Sequence, residues 1–354
     1  MLMIILALLF ERVVCFCFGI WVALSVNCKR YPTEEVMPRI SVLKRWVSSS
    51  GRLPLSIAFL FSEYRNAADY QINVFNTILA QLHRCKSFHG RISFDAHGTD
   101  SVQRAIDLDI PDVPMLESLT LGSYPMGKHT IGWQRKLYTK IPRLRHLDVD
   151  SAKGIASLSV KDMITVKLDS AVLSDLFYIV ENATVLEELK VEYVDLPDRV
   201  SRHSRHNSRR LDRLFRLDFQ RAADTAVNKF IDYVMLSSIK ELTIQTTSAW
   251  PDVDAFTRFF KRSACSLTQL IIEAPDGDKH GFLLALRQMS SLKKLLDYRC
   301  TNWEKLGVAR LDHLSVTIIT SRLSAAQMKD RRQQMLEVFK LHKKARFKWA
   351  IESR

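Results

Sequence analysis

The sequence contains little glycine, proline or cysteine. Only 11 glycines and 10 prolines occur among 354 residues, so long flexible linkers are not expected. The six cysteines form no Cys-x-x-Cys pair and no Cys/His group with zinc spacing. In a chain of this length they do not make a disulfide framework, which favours buried, reduced thiols in an intracellular protein. With 47% hydrophobic and 25% charged residues, the composition excludes a largely disordered chain and a multi-span membrane protein.

The signatures of common catalytic sites are also missing. The sequence contains no HExxH, GxSxG or GxGxxG motif. Gly122 to Lys128 has the spacing of a phosphate-binding loop, but His129 stands where a Ser or Thr would bind magnesium, and Pro125 removes one loop N–H. We therefore predict a protein that is not an enzyme and has no catalytic residues, no bound metal and no cofactor.

Residues 1–26 are unusually apolar, but Glu11 and Arg12 split them into runs of ten and fourteen. A membrane helix requires about 20 nearly uninterrupted apolar residues. A signal peptide opens with positive charge, whereas no basic residue precedes Arg12 here. The segment is either an atypical membrane anchor or signal, or a buried helix, and the sequence leaves both open. We assign residues 1–38 to this apolar N-terminal segment.

An apolar pattern recurs through most of the chain in the form apolar-x-x-apolar-x-apolar. Its central residues follow one another at intervals of 19 to 28 residues. Such intervals are typical of leucine-rich repeats, in which each unit is a short strand with a returning segment and neighbouring units stack over one core. The central residues are Leu119, Leu147, Val166, Leu189, Leu217, Leu242, Leu270, Leu295 and Leu314.

The predicted fold is α/β, with a leucine-rich-repeat-like solenoid of short parallel strands and helices over residues 39–322 and a basic helix over residues 323–354. Apolar spacing predicts strands and helices between and before the repeats. Helices are predicted over 39–50, about 69–82, 174–183, 223–236 and 253–262, and strands over 53–59 and 88–94. Asp252 or Asp254 is a candidate cap of the last helix. A doubly wound sheet would also alternate strands and helices, but nine repeats separated by eight intervals of similar length favour the solenoid.

Several short segments resemble fungal F-box proteins in their order along the chain. Leu43–Val47 with Ser50–Ile57 is similar to a segment in which a helix ending in a WL-x-RSG run leads into PLSI. Further matching segments are Cys85–Phe88, Pro114–Leu119, Pro142–Leu147 and Phe259–Ser263. The resemblance covers roughly residues 40–320.

The resemblance implies the substrate-receptor part of an SCF-type ubiquitin ligase, which would act with a Skp-type adaptor and a cullin. Ile20–Val26 resembles the strand that follows the F-box in this family, and the F-box itself is truncated or missing. We expect a non-catalytic protein-recognition scaffold in the cytoplasm or nucleus. The alternative is a leucine-rich-repeat interaction protein unrelated to ubiquitylation and anchored to a membrane through residues 1–26.

The residues between the apolar positions of each repeat are candidates for partner contact, because side chains alternate between the two faces of a strand. Each could equally be ordinary solvated strand surface. They are Thr120, Asp148, Lys167, Lys190, Asp218, Thr243, Ile271 and Ser315.

Much of the net charge of +14 is concentrated in two segments. Residues 198–213 carry six arginines against two aspartates, and we expect a mobile loop that is solvated, binds an anion or is phosphorylated. The candidate anion-binding residues are Arg202, Arg205, Arg209 and Arg210. The basic helix after residue 323 is expected to cap the last repeat, although such helices also bind RNA, membranes or calmodulin-like partners. No aromatic residues alternate with the basic ones, so we expect a protein partner rather than nucleic acid.

Overall fold

The computed structural model describes residues 22–27, 40–62, 68–93, 110–124, 134–195, 208–247, 252–265, 267–273, 294–297, 318–319 and 351–352. The chain divides into two compact units, residues 1–167 and residues 168–354. The prediction of an α/β protein with parallel strands is confirmed. The domain boundaries predicted at 38/39 and 322/323 lie outside the described residues.

The first unit contains a parallel sheet whose strands lie side by side in the order in which they occur in the chain. They are β1 (Val22–Asn27), β2 (Leu55–Ser62), β3 (Cys85–Ser93), β4 (Ser118–Tyr124) and β5 (His146–Ser151). Helix α1 (Ile40–Ser49) precedes β2, and helix α2 (Ala68–Leu79) precedes β3. A further strand, β6 (Thr165–Val172), crosses the boundary between the units.

The second unit repeats this arrangement with β7 (Glu188–Asp195), β9 (Arg216–Ala222), β11 (Glu241–Thr246), β12 (Gln269–Glu273) and β13 (Lys294–Asp297), again parallel. Its helices are α3 (Leu173–Asn182), α4 (Asp224–Tyr233) and α5 (Val253–Ser263). A doubly wound sheet reverses its strand order at a switch point. Among the described strands of the parallel sheet in each unit, the order runs one way throughout.

Two pairs of very short strands correct parts of the prediction. β8 (Arg209–Arg210) pairs with β10 (Val234–Met235), so the end of the expected mobile loop is instead held by a backbone ladder, with Leu211 buried beside it. β14 (Ile318–Ile319) pairs with β15 (Ile351–Glu352), so the predicted C-terminal helix is wrong at Ile351 and Glu352. β-branched isoleucines favour the extended backbone found there. The rest of residues 323–354 lies outside the described residues.

The central residues whose burial the structure describes point into the protein, as the pattern predicts. Leu119 and Leu147 in the first unit, and Leu189, Leu217, Leu242 and Leu270 in the second, are each at most 1% exposed. They occupy equivalent positions on neighbouring strands: Leu119 is opposite Leu147, and the other four follow one another across β7, β9, β11 and β12. This register joins successive repeats into a continuous apolar row within each unit. Leu314 lies outside the described residues.

The helices end close to where apolar spacing placed them. Helix α5 begins after Asp252, whose carboxylate accepts a hydrogen bond from the Asp254 N–H, so Asp252 is the cap. Helix α4 ends at Tyr233 rather than Leu236, because Val234 and Met235 pair with β8. Among the described residues, no helix combines the length and the apolar character needed to cross a membrane.

Arginines from later segments bind the carboxyl ends of three helices. Arg84 donates to Val47 O at 3.0 Å, to Ser50 Oγ at 2.8 Å and to Gly51 O at the end of α1. Arg262 donates to Ile231 O at 2.7 Å and Val234 O at 3.2 Å at the end of α4. Arg209 donates to Val180 O at 3.3 Å near the end of α3.

We call Arg84, Arg209 and Arg262 the helix-end arginines. The helices α1, α3 and α4 have no basic residue in their own last turn. Carbonyl groups at a helix C-terminus lack intrahelical partners and carry partial negative charge. Each helix-end arginine supplies the missing donor and charge from a neighbouring segment of the chain.

A buried glycine accommodates a large aromatic ring in the core of the first unit. Gly90 in β3 is buried beside the ring of Phe88, which is 1% exposed. A Cβ atom added at Gly90 would lie 2.8 Å from Phe88 Cε1 and 3.3 Å from Leu121 Cδ2. The small residue in β3 therefore leaves room for the large one two positions earlier.

Replacing Gly90 with alanine is expected to destabilise the first unit by about 1–3 kcal/mol, because the added methyl group overpacks a filled core. The shift can be measured by urea denaturation followed by tryptophan fluorescence. The double variant Gly90→Ala with Phe88→Leu is the control, since the smaller side chain makes room for the methyl group. If Gly90→Ala lowers the free energy of unfolding as much in the Phe88→Leu background as in the native background, the close approach of the Phe88 ring is not the cause.

Candidate recognition surface

The outward positions of the second unit form a continuous row across four neighbouring strands. Lys190 is opposite Asp218, Asp218 is opposite Thr243, and Thr243 is opposite Ile271. All four residues are half-buried. Three strand spacings of about 4.8 Å give this outward row a length of about 14 Å. That length suits an extended segment of a partner or one edge of a folded one.

A second line of charged residues runs beside the outward row, two positions earlier on each strand. Arg216 Nη1 lies 3.8 Å from Glu188 Oε1, and Arg216 Nε lies 3.3 Å from Glu241 Oε2. Partly exposed ion pairs of this kind contribute about 0–1 kcal/mol each. We infer that this charge row contributes little to stability and mainly determines the pattern of charge that a partner meets.

Asp218 supplies the carboxylate of the outward row, and its side chain is 14% exposed. Its nearest cation, Lys190 Nζ, is 4.0 Å away, and Gln220 Nε2 donates to its two oxygens at 3.4 and 3.2 Å. Burial raises the pKa of the Asp218 carboxyl above its ordinary value, although Gln220, Lys190 and Arg216 oppose this effect. The carboxylate is thus incompletely compensated by its own surroundings.

A strained arginine stands at the end of the same surface. Arg221 has a φ of 49°, which non-glycine residues rarely adopt, at the place where the pairing of β9 with β11 shifts register. Its guanidinium lies 4.8 Å from the centre of the Tyr193 ring, and Arg221 Nη2 lies 3.5 Å from Glu192 Oε1. The bulge therefore places a cation against an exposed aromatic side chain, a combination common in protein-binding surfaces.

No protein-family model matches the chain, and no curated protein matches it. What the surface does therefore has to be inferred from its geometry.

The outward face of the first unit differs in chemistry from that of the second. Thr120 is opposite Asp148, and His89 of the preceding strand is opposite Thr120. Two positions earlier on each strand, the outward residue is a serine on β2, β3 and β4 and a histidine on β5. These residues are Ser56, Ser87, Ser118 and His146. The described outward positions of the first unit therefore carry mainly hydroxyl groups, with Asp148 on the last strand, whereas those of the second unit carry charges of both signs.

The remaining candidate residues are more scattered. Lys167 is half-buried in β6. Arg209 is half-buried and engaged with Val180 O, whereas Arg210 is exposed and pairs with Asp212. Ser315, Arg202 and Arg205 lie outside the described residues. Of the four candidate anion-binding arginines, the structure therefore describes only Arg209 and Arg210. Each of these two already donates a hydrogen bond to an acceptor within the protein.

The described part of the chain includes the cysteines Cys85 and Cys265. Within it, no three His, Cys, Asp or Glu side chains are placed to hold a metal ion. Burial raises the pKa of the Cys85 thiol to about 12, so this sulfur stays protonated at neutral pH and is a poor nucleophile. Burial likewise raises the pKa of Cys265.

Sequence reasoning missed the charge row, although a signal for it was present. Glu188, Arg216 and Glu241 each stand immediately before the central leucine of three successive repeats, with alternating sign. Opposite charges at one repeat position predict ion pairs across neighbouring strands. No comparable signal marks Arg221, because its role depends on a register shift that the repeat pattern does not contain.

Proposed function

We propose that the chain is a non-catalytic protein-recognition scaffold. The observation that carries this proposal is the register of the outward row, which aligns Lys190, Asp218, Thr243 and Ile271 on neighbouring strands above a buried row of leucines. A rigid core that presents one side chain per repeat at regular spacing is well suited to reading an extended surface.

We further propose that the repeats form a leucine-rich-repeat-like solenoid. Support comes from parallel strands that follow one another in sequence order within each unit, with returning helices such as α4 and α5 in contact. In this architecture the outward row would line the strand-bearing face, and the partner would bind there.

From the resemblance of the sequence to fungal F-box proteins, we propose further that the chain is a substrate receptor similar to that of an SCF-type ubiquitin ligase. The partner would be a protein destined for ubiquitylation, with a Skp-type adaptor and a cullin supplying the link to the ligase. The proposed site of action is the cytoplasm or nucleus, and the free thiols of Cys85 and Cys265 agree with a reducing compartment. Two segments of the resemblance are also physically joined, since Arg84, directly before Cys85–Phe88, binds Val47, Ser50 and Gly51.

Site-specific photo-crosslinking in cells tests the recognition surface. A benzoylphenylalanine at Lys190 or Thr243 is expected to capture the same protein, because both positions lie on the outward row. Lys229 in α4 and Lys261 in α5 are exposed helix positions of the same unit and serve as matched controls. Arg216→Glu is expected to reduce capture about tenfold by reversing the charge at the centre of the charge row.

Capture of that protein equally from the helix positions, or unchanged capture with Arg216→Glu, would contradict the proposed surface. The ligase assignment has a separate readout in the same cells. The captured protein is expected to lose ubiquitin and increase in abundance when the gene is deleted, and a Skp-type adaptor is expected in the same complex. Unchanged ubiquitylation of a genuinely captured partner would refute the ligase link and leave the recognition scaffold intact.

A further inference from the structure

Ser208 is an exposed serine next to the short strand β8. It directly precedes β8, and burial alternates along the segment: Ser208 is exposed, Arg209 half-buried, Arg210 exposed, Leu211 buried and Asp212 exposed. Residues two apart in an extended backbone face the same side. The side chains of Ser208, Arg210 and Asp212 therefore share one face, with the arginine in the middle.

Arg210 already binds one anionic group, the carboxylate of Asp212. Its Nε–H donates to Asp212 Oδ1, which also accepts a hydrogen bond from Ser237 Oγ at 2.7 Å. A guanidinium carries five N–H donors in a planar fork, so it can serve a second anion or exchange one for another. A dianionic group on residue 208 would compete effectively with a single carboxylate, because arginine binds phosphate in a bidentate manner.

The surrounding sequence provides the charge that a kinase with an acidic substrate groove would recognise. Arg205 and Arg202 stand three and six residues before Ser208, and Arg209 and Arg210 follow it. Charge patterns of this kind determine kinase–substrate specificity. Two other serines near Asp212, Ser237 and Ser238, are less accessible to a kinase. Both are half-buried, and their hydroxyl groups donate hydrogen bonds to Asp212.

We infer that Ser208 is a phosphorylation site for a basophilic serine/threonine kinase and that Arg210 holds the resulting phosphate. The Ser208 hydroxyl oxygen attacks the γ-phosphorus of ATP, the bond from that phosphorus to the bridging oxygen breaks, and ADP leaves with the electron pair. The hydroxyl proton passes to the carboxylate base of the kinase. The product adds a charge of about −1.5 to −2 at neutral pH to a segment with six arginines and two aspartates.

Phosphorylation would exchange the partners of Arg210. The guanidinium turns from the Asp212 carboxylate toward the phosphate, and the Asp212 carboxylate retains its hydrogen bond from Ser237. In the unmodified protein, the hydrogen bonds from Arg210 and Ser237 lower the pKa of the Asp212 carboxyl. The modification thus reduces the positive field of the segment and changes a contact beside the helix-end arginine Arg209.

The acceptor site can be tested on the purified full chain with ATP, Mg²⁺ and the catalytic subunit of cAMP-dependent protein kinase. One phosphate is expected, mapped to Ser208 by peptide mass spectrometry. Ser208→Ala is expected to abolish it, whereas Ser204→Ala and Ser237→Ala, two serines of the same region, should leave it unchanged. Undiminished phosphorylation of Ser208→Ala, or a phosphate found only at another serine, would overturn the assignment.

The role of Arg210 has its own measurement, the pH titration of the phosphoserine by phosphorus NMR. A nearby guanidinium favours the dianion, so the second pKa of the phosphate is expected to lie about half a unit to one unit below its ordinary value near 6. Arg210→Gln should remove most of this shift, whereas Arg213→Gln, an exposed arginine of the same segment, should retain it. Equal titration of the native protein and the urea-unfolded protein, or equal effects of the two variants, would show that Arg210 does not hold the phosphate.

Discussion

Replacing Arg84 with alanine is expected to lower the free energy of unfolding of the first unit by about 3–5 kcal/mol. The side chain is 7% exposed and donates to Val47 O, Ser50 Oγ and Gly51 O at the end of α1, and to Gln81 Oε1 at 3.0 Å. Its removal takes the arginine donor from each of these acceptors, although Val47 O keeps a hydrogen bond from Ser50 Oγ at 2.7 Å, and each enclosed acceptor left without a donor costs about 1–3 kcal/mol before relaxation. Urea denaturation would measure the total, and hydrogen exchange of the α1 amides would locate it.

Two variants separate this contact from a general effect of positive charge. Arg52→Ala removes an exposed arginine of the same segment and should change stability by less than about 0.5 kcal/mol. Arg84→Lys keeps the charge but lacks the planar fork, so it should recover only part of the loss. A similar stability for Arg84→Ala and Arg52→Ala would rule out the helix-end role.

Replacing Leu217 with alanine is expected to destabilise the second unit by about 2–5 kcal/mol. This side chain is fully buried in the middle of the leucine row, between Leu189 on one neighbouring strand and Leu242 on the other. Truncation removes apolar burial and leaves a cavity that strands on both sides can fill only in part. The change in the urea midpoint at constant denaturant slope gives the measurement.

Lys190→Ala is the matched control for Leu217→Ala, since it truncates an outward residue of a neighbouring strand. Its ion pair with Asp218 is long, at 4.0 Å, and half-exposed, so the expected change is within about 1 kcal/mol. Comparable losses from the two substitutions would mean that the repeat pattern does not separate an inward from an outward face. Lys190→Ala should nevertheless weaken partner capture, because the outward row is proposed to act in binding rather than folding.

The fold was predictable to the extent that it depends on local apolar spacing. The central leucines identified the buried face of the strands, and the pair of candidate caps Asp252 and Asp254 marked the start of α5, where the structure selects Asp252. The prediction failed where pairing between distant segments overrode local composition. Arg209 and Arg210 look like part of a polar loop, yet Val234 and Met235 supply a partner strand, which shortens α4 as well.

The outward positions of the strands were predictable, whereas the contacts between their side chains were not. Alternation within a strand was enough to choose Lys190, Asp218 and Thr243 as outward residues. The interactions that shape the surface depend on which strands become neighbours and how their residues align. Arg216 lies between two glutamates only because β9 lies between β7 and β11 in this register, and Arg221 meets Tyr193 only through a bulge.

The helix-end arginines have a consequence for how the chain can be divided. Helix α1 is completed by Arg84, which lies more than thirty residues beyond its end, and α4 is completed by Arg262. A fragment cut after α2 but before Arg84 would keep every residue of α1 and lose the donors at its carboxyl end. Folding should therefore be cooperative between adjacent repeats, with each helix gaining its full stability only after the next segment has docked. Truncation series should accordingly lose structure one repeat upstream of the cut.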